Sequence, residues 1–130
     1  MSEQSAPQQR PTGAPAFRAT TLRYGSHRLL MLAGTLDASA VAGLEAALLP
    51  LLQEEVRTPL IVDLEDAVDI ADVVHPTLME AARLAAERNV TMTFGCSSER
   101  LLQALRAMGA LRFMSLWEST PDAVEAALTR

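Results

Sequence analysis

Apolar positions along this chain fall into two rhythms, and the switch between them marks the elements. Residues 17–24 alternate and include the β-favouring Thr20, Thr21 and Tyr24, which predicts a strand. Gly25-Ser26 is a turn signal. Arg28-Leu29-Leu30-Met31-Leu32-Ala33 is then a nearly unbroken apolar run of strand length, which predicts an interior strand hairpinned to the first. Gly34-Thr35-Leu36-Asp37 punctuates the chain, and Asp37 or Ser39 is placed to cap a helix with the stripe Val41, Leu44, Leu48, Leu51 and Leu52. Pro50 lies late in that stripe and is expected to kink or end the helix near Leu49.

The second half repeats the scheme. Leu60-Ile61-Val62-Asp63-Leu64 reads as a buried strand, followed by a helical pattern from Leu78 onward. His75-Pro76 predicts that this helix begins near Pro76, since Pro is at ease in a first turn and the residue before it avoids the helical region. Val90-Thr91-Met92-Thr93-Phe94 alternates as a strand, and a third helix turns Leu101, Leu102, Leu105 and Met108 inward, with Ser97 or Ser98 as cap and Gly109 as stop. A short strand or turn at 113–117 precedes Thr120-Pro121-Asp122, which opens a last helix through Leu128. The expected fold is α/β: one domain over residues 17–130, with a four- or five-stranded mixed sheet, about four helices mainly on one face, and the 29–33 and 60–64 strands central. Residues 1–16 are Gln, Pro, Ser and Ala with almost nothing large and apolar, and are expected to be a disordered tail.

Composition narrows the function. A length of 130 residues suits one core. The formal net charge is −5 and the Arg residues are dispersed, which argues against nucleic acid as a partner. All eleven basic residues are Arg, so Schiff-base chemistry and a phosphate-loop Lys are excluded. The single Cys96 forms no internal disulfide and fits a reducing compartment. No apolar run approaches ~18 residues, and the N-terminus lacks the basic and apolar regions of a secretory signal, so cytoplasmic residence is expected.

The stretch after Val62 concentrates candidate chemistry. Asp63, Glu65, Asp66, Asp69 and Asp72 place five carboxylates in ten residues, in what reads as an acidic loop at the carboxyl end of a parallel strand, where such folds put their sites. No Ser, Thr, Cys or Lys lies between Glu65 and Val74. The cluster lacks the Gly-punctuated alternation of a calcium loop, which favours a solvated loop over a cation site. His75 has no Cys or second His at ligand spacing and no evident nucleophile, so metal and cofactor are expected to be absent and an enzyme using the carboxylates is the weak alternative. Cys96 and the methionines read as core filler, and Ser97-Ser98 as a cap before a phosphate acceptor.

Several of these segments carry a family likeness. Gly34-Thr35-Leu36-Asp37 resembles the Gly-Glu-Leu-Asp motif of STAS domains, typified by anti-sigma factor antagonists. Residues 60–64 resemble that family's Val-Val-Leu-Asp-Leu strand, and Leu78-Met79-Glu80-Ala81-Ala82-Arg83 its second helix. The stretch from Leu101 through Gly109 to Phe113 is similar to its third helix and the strand that follows, so the likeness spans about residues 17–128 without a long gap. It implies a non-catalytic, protein-binding regulator. The implied partner is an anti-sigma factor/serine kinase of the ATP-binding type. A STAS subunit of a stressosome-like particle or a phospholipid ABC transporter complex is the alternative. The implied contact residues are Asp37 and Ala38, with Asp69, Ala71, Asp72, Val73, Val74, His75 and Pro76 around the second helix. In the family that helix opens with Asp-Ser-Ser-Gly, and a partner kinase phosphorylates the first Ser. Those positions are Ala71, Asp72, Val73 and Val74 here, so Asp72 stands where the phosphoacceptor would. Its carboxylate either imitates the phosphate or merely caps or flanks a helix N-terminus.

Overall fold

The two apolar runs form the interior of a mixed sheet: β2 spans His27–Leu36 and β3 spans Leu60–Ile70. This is a computed structural model that describes residues 16–24, 27–55, 58–107, 109 and 115–117. The sheet has five strands in the order β1-β2-β3-β4-β5, with β1 at Arg18–Tyr24, β4 at Met92–Gly95 and β5 at Ser115–Trp117. β1 is antiparallel to β2, and each later neighbour is parallel. The helices α1 (Val41–Gln53), α2 (His75–Glu87) and α3 (Glu99–Ala107) each connect one parallel strand to the next. All three crossovers step the same way across the sheet, and a right-handed crossover then puts every helix on the same face. Leu44, Leu48, Leu78, Ala81, Leu101 and Leu105 accordingly share one core cluster with Leu30, Val62 and Phe94, which sit in register across β2, β3 and β4. Each buried Leu in that cluster contributes roughly 1.5–3 kcal/mol relative to an exposed one.

Three expectations change. The stretch after Leu64 is not a loop, because β3 runs on to Ile70 and β2 runs through Gly34 to Leu36 beside it. From Met31 to Ala33 the partner positions step from Asp63 to Asp66, and from Gly34 to Thr35 they step from Ala67 to Asp69. Each step adds one residue to β3, so the strand carries two bulges. Leu64, Ala67 and Ile70 therefore turn toward the core at a spacing of three, while Glu65-Asp66 and Val68-Asp69 face out. Second, α1 does not break at Pro50 but continues to Gln53. Ala46, whose carbonyl loses its partner, is on the exposed side with Pro50. Third, α1 is preceded by a short 3₁₀ turn, Ala38–Ala40, and α2 by another, Asp72–Val74. The expected N-terminal tail, but for Ala16, the Gly25-Ser26 turn and the last helix lie outside the described residues.

At the amino ends of the parallel strands a buried arginine ties the elements together. Arg28 is 1% exposed, donates to the carbonyls of Leu51 and of Thr58 (2.7 Å for the latter), and pairs with Glu54 at 3.2 Å. Burial pulls its pKa down and Glu54 opposes that shift. This fastening joins the end of α1 to the start of β3, at the opposite end of the sheet from the acidic stretch. No helix among the described residues is long and apolar enough to cross a membrane.

Candidate functional site

The carboxyl ends of β2 and β3 are built alike and locked together. Ala71 N–H donates to the Leu36 carbonyl at 2.8 Å, one residue past the last paired positions, Leu36 and Ile70. Immediately beyond that bond each chain enters its 3₁₀ turn and then its helix, so the two predicted contact segments stand side by side. At the first turn Asp37 is the cap. Its Oδ1 accepts from the Ser39 N–H at 3.0 Å and from the Ser39 hydroxyl at 2.6 Å. At the second turn the cap position is Ala71, which has no side-chain acceptor. Asp72 is one residue further on, inside the turn and exposed. It therefore does not cap the helix; its charge lies near the positive end of α2, pointed to solvent.

The remaining predicted residues divide by burial. Val73 is exposed, Ala71 and Pro76 are exposed, and His75 is half-buried. Val74 is fully buried in the core cluster and supports the turn from beneath without offering a surface. Thr77, the nearest hydroxyl to Asp72, is 4% exposed and its hydroxyl donates to Glu45 of α1 at 3.4 Å.

Three of the acidic residues, Asp63, Glu65 and Asp69, are individually engaged along β3. Asp63 accepts from the Glu65 N–H at 2.8 Å, and Glu65 accepts from the Ser97 hydroxyl at 2.6 Å. Asp69 accepts from the Ile70 N–H at 2.9 Å and pairs with Arg100 at 3.5 Å. Arg100 also donates to the Val68 carbonyl at 2.9 Å, so the start of α3 is fastened to the second bulge of β3. Among the described residues no group of three His, Cys, Asp or Glu side chains is arranged to hold a metal ion. Cys96 is fully buried, and burial pushes its thiol pKa up, which disfavours the thiolate a nucleophile needs. Ser98 is the α3 cap, accepting from the Leu101 N–H at 3.3 Å, and Gly109 closes that helix in a left-handed conformation.

Sequence reasoning found the starts of the first two helices but not the 3₁₀ turns before them, and it missed the two α3 contacts. Ser97 and Arg100 reach Glu65 and Val68 across 32 positions, and nothing local signals that meeting. It also missed the seat of the first described residues: a Cβ on Gly34 would lie 2.1 Å from the Ala16 carbonyl oxygen, and one on Gly43 would lie 3.0 Å from the Phe17 ring. Those glycines let the chain before β1 lie close over the β2–α1 junction.

Comparison with known proteins agrees with this arrangement. The STAS domain family model matches residues 18–123. An anti-sigma factor antagonist from Mycobacterium paratuberculosis superposes with a TM-score of 0.78 at 13% identity, covering 87% of this chain and 95% of that one. The anti-sigma factor antagonist SpoIIAA in its unphosphorylated form gives 0.69 at 15% identity, covering 88% and 98%. An anti-sigma-factor antagonist (STAS) domain protein from Planctomyces limnophilus gives 0.68 at 13%, covering 85% and 96%. At these identities the likeness is one of fold. No curated protein matches the chain significantly.

Proposed function

The chain belongs to the STAS domain family, and from that premise we propose that it is a non-catalytic regulator that docks a protein partner without the usual serine phospho-switch. The partner in this reading is an anti-sigma factor of the ATP-binding kinase type, met in the cytoplasm. The observation that carries it is the Ala71–Leu36 backbone bond. That bond ties Leu36, just before Asp37-Ala38, to Ala71, just before Asp72-Val73, and supports reading the two helix starts as one docking surface. Its central position carries a permanent charge and no hydroxyl. A fixed carboxylate has about one negative charge where a phosphate has ≈ −1.5 to −2, so Asp72 gives one constant state in place of two.

The sign of that charge's effect is testable. Asp66, Asp69 and Asp72 are exposed carboxylates at one end of a molecule of net charge −5, which suits a cationic partner surface. We expect Asp72→Ser to weaken binding to the captured anti-sigma-type kinase about tenfold, or ~1.4 kcal/mol, and Asp69→Asn to act in the same direction. Calorimetric titration at two salt concentrations checks this. Tighter binding by the Ser variant would mean that Asp72 imitates a released, phosphorylated state, and unchanged affinity in both variants would move the docking face elsewhere.

A further inference from the structure

Three large apolar side chains are conspicuously exposed among the described residues: Leu22, Val68 and Val73, at 46%, 46% and 48%. Two of the three lie at the carboxyl end of β3, five positions apart, with the core residues Ile70 and Val74 turned away from them. Five residues of chain span at most ~17 Å, less than the roughly 28 Å breadth of the ~800 Å² patch that one partner commits to a standard interface. Val73 belongs to the α2 turn already described. Val68 does not. It is the extra residue of the second bulge, where one step on β2 matches two on β3. Without that bulge strict alternation would turn Ile70 outward.

The bulge is held from outside. Arg100 donates to the Val68 carbonyl at 2.9 Å and reaches the Asp69 carboxylate at 3.5 Å. One guanidinium so fixes both the backbone and the charge beside the exposed valine. Along the chain the two valines lie among Asp66, Asp69 and Asp72, all exposed. Apolar side chains interspersed with carboxylates suit a partner that offers an apolar side chain flanked by Arg or Lys.

Resting on the docking function above, we propose that the interface extends from the two helix turns onto the bulged half of β3, with Val68 and Val73 as apolar anchors for a basic protein surface and Arg100 as the residue that positions Val68. Leu22, on edge strand β1, is outside this surface and provides the internal control.

The test places a benzophenone-bearing amino acid at position 68, 73 or 22 of the full-length protein and irradiates it in the source cell. The expected result is that positions 68 and 73 capture the same protein, through peptides containing Arg or Lys, while position 22 does not. Capture from 73 alone would overturn the extension and leave the docking function standing. Capture from neither would overturn both. A second copy of this chain on 68, or partner peptides without basic residues, would overturn the assigned partner chemistry. Arg100 is tested by a double-mutant cycle on the affinity for the captured partner. Val68→Ala and Arg100→Ala should each weaken binding about five- to tenfold, and the double variant should be no weaker than the worse single one, because Arg100 acts through Val68. Multiplying losses would show that Arg100 contributes independently and does not position Val68.

Discussion

Single residues whose roles depend on neighbours close in sequence were legible; those that depend on distant ones were not. Asp37 and Ser98 are caps as their spacing indicates, because a cap needs only the N–H groups two or three residues ahead. Gly109 likewise ends α3 through a local bond to the Arg106 carbonyl at 3.0 Å. Gly34 looked like ordinary turn punctuation, yet it is required twice over. Its φ is +86°, and a Cβ there would collide with the Ala16 carbonyl at 2.1 Å. Gly109 shares the positive φ, at +75°, but has nothing within 4 Å of such a Cβ. The two positions separate backbone strain from collision. Gly109→Ala should cost about 1–2 kcal/mol, the strain alone. Gly34→Ala should cost more than about 3 kcal/mol, since a backbone carbonyl cannot swing aside as a side-chain tip does. Chemical denaturation of both variants measures the difference, and equal losses would mean that the chain at Ala16 yields freely.

At the scale of elements, the periods read correctly wherever a regular element faced the core, and failed where the register was interrupted. The far half of β3 has neither the period of a strand nor that of a helix, because two bulges make Leu64, Ala67 and Ile70 core-facing at every third residue. Read singly, Glu65-Asp66-Ala67-Val68-Asp69 has the polarity of a loop; only pairing with β2 makes it a strand. Pro50 misled in the opposite direction, since its expected break assumed a carbonyl left without a partner. With residues 46 and 50 on the wet face, the helix loses one bond and keeps its course. The lost bond remains a cost. Pro is about 3 kcal/mol worse than Ala inside a helix, offset by up to about 1 kcal/mol of unfolded-chain entropy that Pro removes. Pro50→Ala should therefore stabilise the protein by about 2–3 kcal/mol, read as a raised denaturation midpoint. A lowered midpoint would mean that the proline ring itself makes packing contacts the helix depends on.

For the whole molecule, strand order follows from the alternation of strands and helices with short connections, and the one-sided layering follows from crossover handedness, so both were within reach of the sequence. The candidate site was legible as two separate helix starts but not as neighbours, since the Ala71–Leu36 bond that links them joins positions 35 residues apart. That geometry bears on whether modification can switch this protein at the second turn. Asp72 has no hydroxyl, and residues 65–74 contain none. Thr77 is the nearest alternative, but it is 4% exposed, and its hydroxyl faces Glu45 across the α1–α2 contact. A kinase would have to open that contact to place the hydroxyl against a phosphate donor, and the product would put a charge of about −2 beside a carboxylate. Incubation with ATP and the captured anti-sigma-type kinase should therefore add no phosphate to residues 65–77, as read by intact mass and peptide mapping. A stoichiometric phosphate on Thr77 would show that α1 and α2 separate readily in solution, and that this chain is switched at Thr77 and not in the turn before α2.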